Sequence, residues 1–311
     1  MMDVFLPIAG MSFNFIIIIG IGGMVGFLSG LFGVGGGFLL TPLLITIGVP
    51  PAVAAASDSN QICAAATSGA FGHWRLGNVD MKMGLVILIG GLTGGTVGVQ
   101  IVKYLREMGN FDFVIRAVYV VVLGGIGSAM FFESLNTLRK SKTKEIPPGE
   151  PRPPKLSNFF ARLPLQMEFK RSGLRTSAIF PFSAGITVGF LAALMGVGGG
   201  FIMVPTMIYI IGMPTICAVG TDLFQIVITT ANVTFMQAIT NHTVDLVLVV
   251  LLFSGSVIGA QFGVRVSRLL RGEQIRILLS IIVLLVMVKM LFDLLVTPDN
   301  LIELAKAGGG H

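Results

Sequence analysis

Ten apolar segments fill most of this 311-residue chain, and eight of them run for roughly 20 residues, about the length a helix needs to cross a bilayer. They cover about 12–33, 38–48, 52–72, 82–104 and 113–136, then 177–195, 201–212, 215–239, 245–268 and 274–296. Segments of this kind leave few folds open, because lipid offers no partner to a backbone amide and only helices or closed barrels satisfy themselves there. The lengths choose helices, so the expected fold class is an all-α polytopic membrane protein. Composition agrees: 54% of residues are hydrophobic and only 12% charged, about half the charged share of a soluble domain. The first segment is too long and too glycine-rich for a cleaved signal peptide, and it reads as a retained helix.

The net charge of +6 does not point to nucleic acid. Ten of the 21 Lys and Arg lie between Leu138 and Ala178 (Arg139, Lys140, Lys142, Lys144, Arg152, Lys155, Arg162, Lys170, Arg171, Arg175), together with six of the 14 prolines. This stretch, 138–176, reads as a basic, Pro-rich cytoplasmic linker between two membrane domains, 12–137 and 177–297. The other use for such a patch is contact with anionic lipids. No phosphate-binding loop occurs, and the histidines stand apart at 73, 242 and 311, so neither ATP-driven pumping nor a histidine metal cluster is expected. Cys63 and Cys217 lie in apolar segments and read as packing residues. The expectation is no enzyme, no metal and no organic cofactor.

The two membrane domains repeat one another. Gly26–Phe38 (GFLSGLFGVGGGF) and Gly189–Phe201 (GFLAALMGVGGGF) agree at ten of thirteen positions, 163 residues apart. Pro42 then pairs with Pro205, and after one inserted residue Gly48, Pro50, Asp58 and Gln61 pair with Gly212, Pro214, Asp222 and Gln225; Asp80 later pairs with Asp245. Duplication around a hydrophilic linker is the pattern of transporters whose substrate site lies between two repeats. The second segment of each half is too short to span as an ordinary helix, so it crosses in part or re-enters. If it crosses, each half has five segments and the halves are inverted; the loops bearing Arg75 and Lys82, and Arg265, Arg268, Arg271 and Arg276, then share the linker's side. If it re-enters, the halves are parallel and the four-arginine loop faces out. The positive-inside bias favours inverted repeats of five segments, with Lys103 and Arg106 dissenting.

Each short segment follows Gly-Val-Gly-Gly-Gly, at 33–37 and 196–200. Consecutive glycines break a helix and leave amides that only protein, water or substrate can satisfy. The free N–H groups where the next helix begins suit a small anion, which makes Gly35, Gly36, Gly37, Gly198, Gly199 and Gly200 candidate substrate contacts. Tight helix packing is the plain alternative for such a run.

The doubled pattern GVGGGFLLTPLL…IGVP and GVGGGFIMVP…IGMP resembles the TauE/SafE family of bacterial inner-membrane permeases. The resemblance covers roughly 15–136 and 178–296 and implies export of sulfite, sulfoacetate or related organosulfur anions. It does not fix the substrate, and the long basic linker exceeds what shorter members carry. Where many members show a small Thr-Ser pair, this chain has Ser57-Asp58-Ser59-Asn60-Gln61 and Gly220-Thr221-Asp222-Leu223-Phe224-Gln225. An acid inside an apolar helix costs about 2.5–3.5 kcal/mol on insertion scales, so it normally faces the protein interior. Asp58 and Asp222 are candidates for coupling to H+ or Na+; capping of the broken helices is their structural alternative. Ser57, Asn60, Gln61, Thr221, Gln225 and Asn232 join the candidate site, with Asp222, Gln225, Thr229 and Asn232 forming one helical stripe. Trp74 beside Arg75 reads as an interfacial anchor and Lys289 as a snorkelling side chain.

These residues point to a secondary transporter of a small anion, working by alternating access between the repeats and surrounded by membrane lipid, with pairing into a homodimer left open. A cation or metal permease, or a channel, in which Asp58 and Asp222 bind the cargo is the competing reading.

Overall fold

In the computed structural model, residues 3–32, 37–140, 164–169, 171–267 and 272–295 are described. The first half contains α1 (Phe15–Phe32), α2 (Gly37–Thr46), α3 (Pro51–Arg75), α4 (Met81–Glu107) and α5 (Phe111–Lys140). The second repeats the order with α6 (Ile179–Met195), α7 (Gly200–Pro205), α8 (Thr215–Met236), α9 (Leu246–Ser267) and α10 (Gly272–Leu295). The short second segments are α2, with Pro42 inside it, and α7, continued by a π-turn over Thr206–Ile211. Both end at a glycine in the left-handed region, Gly48 at φ +98° and Gly212 at φ +87°, and a proline then precedes the next helix. Among the described residues, five stretches are long and apolar enough to cross a membrane: Met81–Glu107, Phe111–Phe132, Thr215–Asn241, Leu246–Gly263 and Ile277–Leu295.

The expectation of an all-helical chain needs one correction, because each half opens on a β-hairpin. β1 (Asp3–Leu6) pairs antiparallel with β2 (Met11–Asn14), and β3 (Gln166–Phe169) with β4 (Leu174–Ser177), at the same 163-residue spacing as the glycine motif. Gly10 and Gly173 close the two turns at φ +68° and +67°. Leu6 and Phe169, equivalent in the repeat, are both fully buried. The second hairpin takes up the end of the stretch read as linker; α5 runs on to Lys140, and residues 141–163 lie outside the described residues.

Carboxylates from the opposite half hold both hairpins. Asp80 lies at the N-terminus of α4, where its Oδ1 accepts from Met83 N at 3.2 Å, and its Oδ2 accepts from Ser172 N at 3.1 Å and Ser172 Oγ at 2.9 Å. Asp245 repeats this at α9: Oδ1 accepts from Val247 N and Leu248 N, and Oδ2 from Ile8 N at 2.9 Å and Ala9 N at 3.3 Å. Each Asp thus caps its own helix and ties down the other half's hairpin turn.

The closest helix pairs also join opposite halves. Along α1 and α9, a Cβ added at Gly22 or Gly26 would strike the backbone of Leu252 or Ser256, and one at Gly255, Gly259 or Gly263 the backbone of Ile19, Gly23 or Phe27. Along α4 and α6, Gly90 and Gly94 meet Phe182 and Ile186, while Gly185 and Gly189 meet Ile87 and Gly91. Residue numbers rise together in both pairs, so the partners run parallel. By contrast α3 and α8 run antiparallel, with Gly220 against Asn78 and His73, Leu223 against Gly69 and Val227 against Cys63. So do α5 and α10, where Val283 meets Gly127, Met287 meets Gly124 and Asp293 O accepts from Arg116 Nη1 at 3.2 Å. Phe38 and Phe201, equivalent residues, stack with ring centroids 4.7 Å apart at the junction of the halves.

Lys289 Nζ lies 2.6 Å from Asp293 Oδ1, one turn on. Trp74, 64% exposed, sits at the end of α3 beside Arg75, whose guanidinium covers the Phe71 ring.

Gly26→Ala and Gly94→Ala each place a methyl group into facing backbone, and overpacking of this kind costs about 1–3 kcal/mol. Both variants should melt earlier in detergent than the parent. Gly20→Ala and Gly125→Ala, where an added Cβ meets nothing within 4 Å, should not; equal losses in all four would refute the close-packing account.

Candidate functional site

Each short helix lies against a carboxylate on the long helix that follows it. In the first half, Asp58 lies in the third turn of α3 and is 1% exposed. Its Oδ2 accepts from Thr41 Oγ1 at 2.8 Å and Thr41 N at 3.2 Å, both on α2. Its Oδ1 has no partner, and neither do Ser57 Oγ and Gln61 Oε1, all buried. Tyr119 on α5 faces the same carboxylate and donates its hydroxyl to Met195 O, the last residue of α6, at 2.6 Å.

The second half solves the same placement differently. Asp222 is 2% exposed, its Oδ1 accepts from Gln225 Nε2 at 3.0 Å, and Gln225 Oε1 in turn accepts from Thr229 Oγ1 at 3.1 Å. Gly200, the first residue of α7, sits so close that an added Cβ would press on Asp222 Oδ2 and on Ile226. Position 204, which matches Thr41 in the repeat, is Val, and position 65, which matches Thr229, is Ala. Two substitutions between the repeats therefore account for the two bonding patterns.

Of the other candidate residues, Gly35 and Gly36 lie outside the described residues. Gly37 packs against Ile62 and the Val197 carbonyl, Gly198 against Ile62 and Thr230, and Gly199 against Val188. Gly198 and Gly199 have φ of +72° and +88°, which explains glycine there independently of any ligand. Thr221 Oγ1 accepts from Asp80 N at 3.0 Å, which links α8 to the start of α4. Asn232 Nδ2 donates to Thr96 Oγ1 at 3.3 Å. The stripe Gln225, Thr229 and Asn232 therefore faces the glycine-lined side of α4, with Gly91 and Gly95 opposite. Asn60 and Gln61 instead line a cleft of about 450 Å³ between α3 and α9, walled by Val249, Val250, Phe253, Ser254 and Val257.

The bonds among the described residues keep Asp58 and Asp222 in separate clusters, with the Phe38–Phe201 stack at the junction of the halves. Thr41 and Tyr119 were not singled out from the sequence. Thr41 was legible as the one polar departure from GGGFIMVP in the repeat; Tyr119, in an apolar run of α5, left no such signal. The chemistry on offer is that of buried carboxylates beside the ends of short helices: acceptance of a proton or small cation, and proximity to backbone N–H groups suited to an anion.

The family model described as sulfite exporter TauE/SafE matches residues 18–290. Among similar proteins, the probable membrane transporter protein YunE of Bacillus subtilis is 23% identical over 288 residues, covering 90% of this chain and 98% of that protein. A probable membrane transporter protein of Xylella fastidiosa strain Temecula1 is 28% identical over 263 residues, 82% of this chain and 87% of its own length. The sulfite exporter TauE/SafE family protein 1 of Arabidopsis thaliana is 31% identical over 100 residues, 32% of this chain and 22% of that protein. No solved structure matches. A match over this much of both repeats places the chain in the TauE/SafE family of multi-pass membrane transporters.

Proposed function

We propose that this protein is a secondary transporter that exports a small anion, sulfite or an organosulfonate, across the bacterial inner membrane. Transport proceeds by alternating access between two inverted repeats and is coupled to H+ or Na+ through Asp58 and Asp222. The observation that carries the reading is the duplicated short helix, which in each half meets a buried carboxylate of the next helix. The sulfite exporter family that matches the chain and the name of the Arabidopsis relative suggest the sulfur oxyanion.

The inverted arrangement draws support from helix direction. The equivalents α3 and α8 run antiparallel, as do α5 and α10. A twofold axis in the membrane plane relates antiparallel helices, whereas one along the membrane normal would relate parallel helices. The linker and the arginines after α9 then share the cytoplasmic side. Since α1–α9 and α4–α6 each join helices of different repeats, the bodies that rock are built across the repeats. A buried acid sits beside an anion path without opposing it when a proton or cation neutralises it, which is what links the two fluxes.

Reconstituted into liposomes, the full chain should move sulfite or a simple alkanesulfonate and leave divalent cations behind; flux of divalent cations alone would favour the competing permease in which the acids bind cargo. Gly200→Ala, which sets a methyl group against Asp222 Oδ2, should slow sulfite flux about tenfold, equivalent to about 1.4 kcal/mol. Gly125→Ala should leave it unchanged. Equal rates for Gly200→Ala and the parent would remove the second glycine break from the transport path.

A further inference from the structure

The two buried carboxylates are equivalent in the repeat, yet they are bonded differently: Asp58 accepts both of its hydrogen bonds on Oδ2, from Thr41, while Asp222 accepts one on Oδ1, from Gln225. At Asp222 the Gln225 amide presents its N–H to Oδ1, and Thr229 holds that amide by donating to its oxygen. The chain hydroxyl, amide, carboxylate is closed and suits an ionised acid, which only accepts. At Asp58 the corresponding Gln61, also three residues on, leaves its Oε1 buried without a partner, and Asp58 Oδ1 is likewise unpartnered. No hydroxyl is available at Ala65 to hold the Gln61 amide the other way. Two orphaned acceptors on one helical face are unfavourable, since a buried acceptor without a donor costs about 1–3 kcal/mol. One proton removes both: bound to Asp58 Oδ1, it turns that oxygen into a donor for Gln61 Oε1.

We propose that Asp58, and not Asp222, is the proton-carrying acid of this transporter, with Gln61 as the residue that accepts from its protonated form. The inference rests on the transporter reading above and assigns its coupling ion and its carrier. Protonated Asp58 keeps Thr41 on Oδ2 and donates from Oδ1 to Gln61 Oε1. When the proton leaves, the Gln61 amide turns its N–H to Oδ1, as Gln225 does at Asp222, but with no hydroxyl at Ala65 to hold its oxygen. Two carriers are thereby reduced to one, and the coupling is asymmetric even though the fold is duplicated.

The surroundings are consistent with a group that gains and loses charge without a fixed counter-ion. Tyr119 faces Asp58 from α5 and spends its proton on Met195 O. Neither α2 nor α6 carries a charged or titratable side chain. On α8 the titratable groups are Asp222, already bonded to Gln225, and Cys217; on α9 the charged residue is Arg265, in the last turn.

Infrared difference spectroscopy of the reconstituted full chain, stepped through neutral pH, reads protonated carboxyl groups directly and needs no substrate. The parent should show a protonated-carboxyl band that is lost in Asp58→Asn and kept in Asp222→Asn. Thr229→Ala, which frees the Gln225 amide, should add a second such band. Persistence of the parent band in Asp58→Asn, or its loss in Asp222→Asn, would overturn the assignment. In proteoliposomes with sulfite as probe, a pH gradient should drive flux in Asp222→Asn but not in Asp58→Asn, and the reverse pattern also overturns it. If the bands behave as stated while no variant and no parent moves sulfite, the carrier assignment stands and the sulfite reading fails.

Discussion

Backbone-to-backbone contact along α1–α9 and α4–α6 is the constraint on which the rest of this structure depends. In lipid the hydrophobic effect does not press one helix against another, and close approach of small residues supplies the attraction. Here the approach is so tight that a single methyl group at Gly26, Gly94, Gly189 or Gly259 would meet a neighbouring backbone atom. Each tight pair joins one helix from each repeat, so neither half can assemble its own packing surface alone. The hairpin clasps repeat that logic, with Asp80 and Asp245 each reaching across to the other half's turn.

Four aspartates therefore form two repeat-related pairs with different work. Asp80 and Asp245 are saturated with donors from cap and hairpin and read as structural. Asp58 and Asp222 sit against the short helices, Asp58 bonded to Thr41 and Asp222 pressed against Gly200. Within this second pair, symmetry is broken by side chains rather than by fold. Thr41 against Val204 and Thr229 against Ala65 decide which oxygen of each carboxylate finds a partner. A duplicated scaffold can in this way hold two acids in equivalent places and assign a proton to one of them.

Much of the fold could be read in advance because its cause is local. Helix length follows from the apolar run, the short second helix from the glycines before it and the proline after it, and the repeat from a constant offset. The hairpins were missed although they obey the same 163-residue offset, since four-residue strands carry almost no periodicity and Gly10 and Gly173 lie outside the strongly matching window. Candidate site residues fared unevenly for a similar reason. Asp58 and Gln61 announce themselves as polar groups in an apolar helix, but the same signal at Asn232 leads to a bond with Thr96, and Tyr119 gives no signal at all.

By itself the sequence determined that this chain spans a membrane, that it repeats one unit, and that each copy carries a glycine run followed by an acid inside an apolar helix. Those properties depend on residue type and spacing along one chain. Which helices touch, which direction they run past each other and which carboxylate oxygen is left without a donor were decided only by the tertiary structure. Contacts such as Gly94 against Ile186, or Asp245 against Ile8, join residues far apart in sequence. Their energies come from surfaces that exist only once both repeats have come together.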